Sequence, residues 1–220
     1  DKARVVLELK REKEAEPLLR QILTLNPKHC AANFHLGRVL LDESNSAGVT
    51  HLEAVMEEDD ESVPAASQLL HAHYWRTGQT ERIKELESRL DRYEKNLQAS
   101  RTERNTVNPG DPLIAHELKP EELAALRTVL EAESDLIAAD LGRKELQHFP
   151  KQKLFLLALQ RRRAWHRLPN RDLEAALVRR LTAKVQLPGR VLIFTPRGDL
   201  AKLSRRVAGL PDAVVFRRAN

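Results

Sequence analysis

The sequence predicts a multidomain chain: an all-α stack of helical hairpins, then a small α+β domain with a mixed four-stranded sheet. Three observations predict it. An apolar pattern over residues 1–98 returns at an offset of 34 residues. Residues 99–118 are polar and carry Pro and Gly, the composition of a linker. Beyond them, strand-like apolar runs alternate with amphipathic helical ones.

The offset pairs Ala31-Ala32 with Ala65-Ala66 and Leu36 with Leu70. It also pairs Leu40 with Tyr74, Leu41 with Trp75, Val49 with Ile83, Leu52 with Leu86 and Met56 with Leu90. Read with its breakers, this register predicts helices near 1–10, 14–25, 30–42, 46–58, 64–77 and 80–98. One hairpin cannot bury its apolar face alone, so repeated hairpins stack. The last helix shows only a thin stripe, Ile83, Leu86, Leu90 and Leu97, and its other faces are charged, as on a solvated cap. Asp1 already lies inside an amphipathic pattern (Ala3, Val6, Leu9), so the chain is expected to be a piece of a longer protein.

Ala15, Leu19, Ile22 and Pro27 open the series. Asn33-x2-Leu36-Gly37-x2-Leu40 and Ser67-x2-Leu70-His71-x2-Tyr74 continue it, with Gly78 at a turn between helices. On these residues the first part resembles a tetratricopeptide repeat array. It departs from the family pattern at Asn33 and Ser67, where Trp is usual, and at Glu61, where Pro is usual. The resemblance implies a groove that takes a protein or peptide partner. Phe34, Arg38, Leu41 and Asp42 would line it, then Gln68, Ala72, Trp75 and Arg76. Phe34 and Trp75 also have a plainer reading, as side chains packed between helices.

Residues 119–220 read as helix, two strands, helix, strand, helix, strand. Pro120-Glu121-Glu122 opens the first helix. The runs within 136–146 and 153–160 are expected to pair as a hairpin. Asn170 caps a helix with Leu173, Leu177 and Leu181 on one face. GRVLIFTP is a buried strand, Asp199 caps the next helix, and DAVVFRR is the last strand. Two βαβ links imply parallel neighbours with right-handed crossovers. The stretches LQHFPKQKLFLLAL and LPGRVLIFTPRGDLAKLSRRVAGLPDAVVF are similar to the C-terminal accessory region of bacterial HtpX-like membrane zinc metallopeptidases, over residues 118–220. That resemblance implies a non-catalytic region accessory to a membrane-tethered peptidase. It places the chain in the cytoplasm, with any tether in a preceding part.

No constellation for catalysis, a cofactor or a metal is legible. The peptidase motif needs two His on one helix face, but His116-Glu117 is followed by Pro120 and no second His. His71 and His73, two apart, point to different helix faces. The single cysteine, Cys30, excludes an internal disulfide. The acidic run 57–61 lacks the glycine of a calcium loop and reads as a turn, with Ser62 capping the next helix. Charge is uneven: residues 151–220 carry 17 Lys and Arg against 4 Asp and Glu, while residues 1–100 and 101–150 are each net −4. This asymmetry predicts units with different surfaces. It also supports a rival reading, a basic domain that binds anionic membrane or, less readily, nucleic acid, through Arg161-Arg162-Arg163, Arg167, Arg179-Arg180, Arg205-Arg206 and Arg217-Arg218.

Overall fold

The structure, a computed structural model, describes residues 6, 12–162 and 170–218. The chain divides into two compact units, Asp1–Leu97 and Gln98–Asn220. The helix expected near 1–10 lies outside the described residues except for Val6, as do Arg163 and Arg167.

The first unit is helical: α1 (Glu12–Leu25), α2 (Cys30–Asp42), α3 (Ala47–Glu58), α4 (Val63–Arg76) and the start of α5 (Thr80–Asn105). The 34-residue register holds in three dimensions. Ala32 and Ala66 are both buried, as are Leu36 and Leu70, Leu40 and Tyr74, and Leu52 and Leu86. The turns match bond for bond. Asn45 N–H donates to Leu40 O and Gln79 N–H to Tyr74 O, and Ser44 and Gly78 N–H donate to Leu41 O and Trp75 O. This is the Schellman closure of a helix C-terminus. It needs a left-handed residue, supplied by Ser44 (φ 63°) in one turn and Gly78 (φ 70°) in the next.

Asn33, at a position where the repeat pattern expects Trp, is buried and fully bonded. Its Nδ2 donates to Pro27 O at 2.8 Å, and its Oδ1 accepts from His51 Nδ1 at 2.8 Å. It ties the α1–α2 turn to α3. Ser62, expected to cap α4, instead donates its hydroxyl to Asp59 Oδ2 at 2.6 Å, because the turn before α4 is a 3-10 segment, Asp60–Ser62.

Burial lowers the pKa of three histidines in this unit, aided by Arg38 beside His35, Arg20 beside His51 and Arg76 beside His73. As pH falls below the ordinary value of 6.5, the unfolded chain protonates first. Stability is therefore expected to be flat above pH 7 and to fall progressively below about 6.5. Urea midpoints of the helical unit across this range check it; a midpoint unchanged down to pH 5 would reject it.

The second unit is a sheet covered by helices on both faces. It holds the end of α5, β1 (Leu113–Ile114), α6 (Pro120–Glu131), β2 (Leu136–Lys144), β3 (Leu154–Arg161), α7 (Arg171–Lys184), β4 (Arg190–Phe194), α8 (Asp199–Ala208) and β5 (Val214–Arg217). β2 and β3 pair antiparallel, Leu141 opposite Leu157, and β3 and β4 pair parallel, Leu156 opposite Leu192. β1 and β5 both pair antiparallel with β2, β1 at Arg143 and Lys144, β5 at Ala138 to Asp140. One face packs on α6 and α7 through Phe155, Leu157, Leu130, Leu177 and Leu181. The other packs on α8 through Leu154, Leu156, Leu203 and Val207. Two covered faces explain why β2 and β3 are buried almost throughout rather than at alternate residues.

Four expectations need correction. The sheet has five strands, not four, because Leu113–Ile114 adds a short edge. Residues 99–118 are not a free linker: 99–105 finish α5 and 113–114 form β1. The second crossover does not end beside β4. Gly142 admits Leu210 against β2, since a Cβ there would lie 2.6 Å from Leu210 Cδ1, and the chain leaves α8 at the far edge of β2. β5 thus runs in the direction of β4 but neighbours β2. Finally, Asp199 is the first helical residue of α8, not its cap; Gly198 holds that position.

Candidate functional site

Within the first unit, two hairpins in the same register are packed differently. In the α2–α3 hairpin the backbones touch. A Cβ on Gly48 would stand 2.5 Å from Gly37 O and 2.8 Å from Leu41 Cγ, and one on Gly37 would stand 2.8 Å from Leu52 Cγ. At the same register α4 and α5 carry His71 and Arg82. Both side chains are exposed, and the α4 and α5 backbones stand further apart than those of α2 and α3. Three features accompany this. His71 is exposed and stacks on Trp75, with ring centroids 6.4 Å apart. Trp75 is 75% exposed, whereas its repeat partner Leu41 is 4% exposed beneath α3. A cleft of about 210 Å³ opens between α3, α4 and α5.

The residues expected to line a groove divide accordingly. Gln68, His71, Ala72 and Trp75 share the solvent face of α4, so Trp75 is not packed between helices. Asp42 is exposed at the end of α2. Phe34 is half-buried against the core of α3 and α4, and Arg38 is half-buried. Leu41 is buried and unavailable to a partner. Arg76 Nη2 donates to Leu41 O at 3.1 Å, which satisfies a carbonyl at the end of α2 and ties successive hairpins together. Leu41 and Arg76 therefore help to hold the array together.

The cleft itself was missed by sequence reasoning. Met56, Leu70 and Leu86 make its apolar floor. At one end charges balance: Arg82 Nη1 pairs with Glu85 at 3.0 Å, and Tyr74 hydroxyl donates to Glu53 Oε1 at 3.4 Å. Arg89 and Arg92 also line the cleft, and among the described residues neither has a hydrogen bond or ion pair. The signal available in the sequence was the exchange of both contact glycines for His71 and Arg82 between repeats.

Among the described residues, many of the basic side chains of the second unit are engaged within it. Arg161 pairs with Asp135 at 3.3 Å, and Arg217 with the buried Asp140 at 2.8 Å. Arg180 and Lys184 pair with Glu133 at 3.0 and 2.8 Å. Lys184, then Arg180, hold the Glu133 carboxyl below its ordinary pKa. Arg197, and less strongly Thr195, do the same for Glu174 and so join the β4–α8 turn to α7. Arg218 donates to the carbonyls of Glu131, Glu133 and Leu136, closing the end of α6. Arg206 donates to Pro109 O. The acidic 101–150 segment and the basic 151–220 segment thus belong to one unit and pair with each other.

Among the described residues, no group of three His, Cys, Asp or Glu side chains is placed to hold a metal ion. Nor is any helix among them long and apolar enough to cross a membrane. Comparison with protein-family models, curated proteins and solved structures finds no match to this chain.

Proposed function

We propose that this chain is a non-catalytic protein-interaction region whose helical unit, read as a tetratricopeptide array, holds a segment of a partner protein. The observation that carries this reading is Trp75. A large aromatic side chain stands 75% exposed on a helix whose opposite face is buried in repeated packing. Exposed, rigid aromatic anchors are the side chains from which binding hot spots are made. A role accessory to a membrane-tethered metallopeptidase rests on the resemblance of residues 118–220 alone. Copurification of the chain with such a peptidase from the source cells tests it.

The experiment for the interaction reading selects peptides from a random display library against the immobilised chain and titrates the enriched ones. Trp75→Ala is expected to weaken their binding about 30-fold, the scale of a hot spot. The urea midpoint should stay unchanged, because the ring contact recorded for Trp75 is to His71. Charge reversal at Arg162 and Arg206 is expected to leave peptide binding intact. If those reversals alone abolish binding, and binding falls steeply with salt, the basic-surface reading replaces this one.

A further inference from the structure

We infer that the chain self-associates through its second unit: the outer edge of β4 pairs antiparallel, across a two-fold axis, with β4 of a second copy. The other edges of this sheet are blunted. β1 is two residues long, and at β5 Arg127 Nε donates to Val215 O at 3.0 Å. β4, on the opposite side of the sheet, has neither device. The parallel ladder fixes which of its groups face inward. Arg190 N–H donates to Lys153 O at 3.0 Å, and Leu192 and Phe194 face β3 in the same way. The N–H and C=O of Val191 and Ile193 therefore point away from β3, and none of the four has a partner among the described residues. Strand edges that face water are commonly guarded by charge, proline or a bulge. Val191, Leu192, Ile193, Phe194 and Thr195 form a run with no charge and no proline.

Three features fit a second copy as the occupant. First, the open groups complement themselves. In the register centred on Leu192, Val191 exchanges both hydrogen bonds with Ile193 of the second copy, and the two-fold repeats the exchange, so every open group is used. The facing side chains agree: Val191 meets Ile193 on the α7 face, and Leu192 meets its own copy on the α8 face. Second, the helix that overlies β4 leaves its flank uncharged. Glu174 is turned onto Thr195 and Arg197, and Arg180 and Lys184 are held by Glu133 on the α6 side. Val178 and Thr182 continue the stripe that Glu174 begins, at successive turns of α7. Third, antiparallel pairing sets unlike charges at the same end, since Arg190 opens β4 and Asp199 follows it after a short turn. Five strand residues and one helix flank make a small interface, so the dimer is expected to be weak, half-formed on the order of 50 µM.

Sedimentation equilibrium of the whole chain, from about 5 to about 500 µM, tests this. The average mass is expected to climb toward that of two chains. Val191→Pro removes one outward N–H and leaves the bonds to β3 in place, a position where an edge strand tolerates proline. It should weaken association about tenfold or more with an unchanged urea midpoint. If that midpoint drops, Val178→Lys/Thr182→Lys, which puts charge on the flank of α7, serves as the second variant. Crosslinking reads the register. Facing residues of a non-hydrogen-bonded pair bring their Cβ atoms within about 5 Å. With Cys30→Ser as background, Leu192→Cys is therefore expected to oxidise to a disulfide-linked dimer and Arg190→Cys is not. Trp75→Ala should dimerise like the parent, which separates this contact from the proposed peptide site. A chain that stays monomeric throughout overturns the proposal, as does association indifferent to both the proline and the lysine variants. Equal crosslinking at Leu192→Cys and Arg190→Cys, or association lost only in Trp75→Ala, overturns it too.

Discussion

Lys144→Met is expected to cost the second unit about 3–5 kcal/mol, the range for removing one partner of a buried ion pair. The side chain is 5% exposed, and its Nζ has three acceptors: Glu103 O at 2.9 Å, Thr106 O at 2.8 Å and Asp111 Oδ2 at 2.8 Å. The two carbonyls belong to the last turn of α5 and the residue after it, where no helical N–H remains to bond them. Methionine keeps the stem's volume but leaves both carbonyls without this donor and the Asp111 carboxylate, 16% exposed, with only the Asn108 N–H and no counter-charge. Glu103 completes the fixing of this turn by accepting from the N–H groups of Gln147 and His148. Urea unfolding of the variant, with hydrogen exchange at residues 99–106, reads the loss. Asp111→Asn added to Lys144→Met should recover part of it, since it removes the stranded charge. A midpoint within experimental error of the parent would show that water replaces the ammonium at no cost.

The second large effect is expected at Gly48→Ala, about 3 kcal/mol from the first unit, the upper range for overpacking. A Cβ at that position would stand 2.5 Å from a backbone oxygen, Gly37 O, which cannot swing aside as a side chain does. The helices must separate, and Leu41 and Leu52 lose their fit. His71→Ala and Arg82→Ala, at the matching places of the next hairpin, touch no such contact and should cost less than about 1 kcal/mol, as surface changes do. Urea midpoints of the three variants test the asymmetry. Equal losses at Gly48 and Arg82 would show that both hairpins close on the same contact.

The register of 34 residues was legible at Ala32, Leu36, Leu40 and Leu52 and their counterparts, because apolar positions that pack against each other recur at that period. The helices of the second unit and the β2–β3 hairpin were legible from caps and from long apolar runs. What escaped has physical reasons. Leu113–Ile114 is a two-residue strand whose pairing is set by Arg143 and Lys144, far along the chain, and no local pattern marks it. The neighbour of β5 was misread because a βαβ link fixes handedness and direction but not how many strands it crosses. Leu41 and Trp75 looked equivalent as large apolar residues in register. Their fates separate because Leu41 packs against α3 at Gly48, where no side chain intervenes, whereas Trp75 stands on the solvent face of α4. Arg161, Arg180 and Arg217 read as part of an open surface because their carboxylate partners lie in a different stretch of sequence.

The edge of β2 is shared by the earliest strand of its unit and the latest, β1 at one end and β5 at the other. During synthesis the sheet therefore stays incomplete until Val215 and Phe216 have left the ribosome, although everything else in the unit is already made. The helical hairpins, whose contacts are local in sequence, have no such wait and can form in the order of translation. A nascent chain stopped before Val214 would carry a folded helical part and an open-edged sheet, the state most exposed to edge-to-edge association. A chaperone that binds this protein as it is made would be engaged with the second unit, late, and released by the arrival of its last strand.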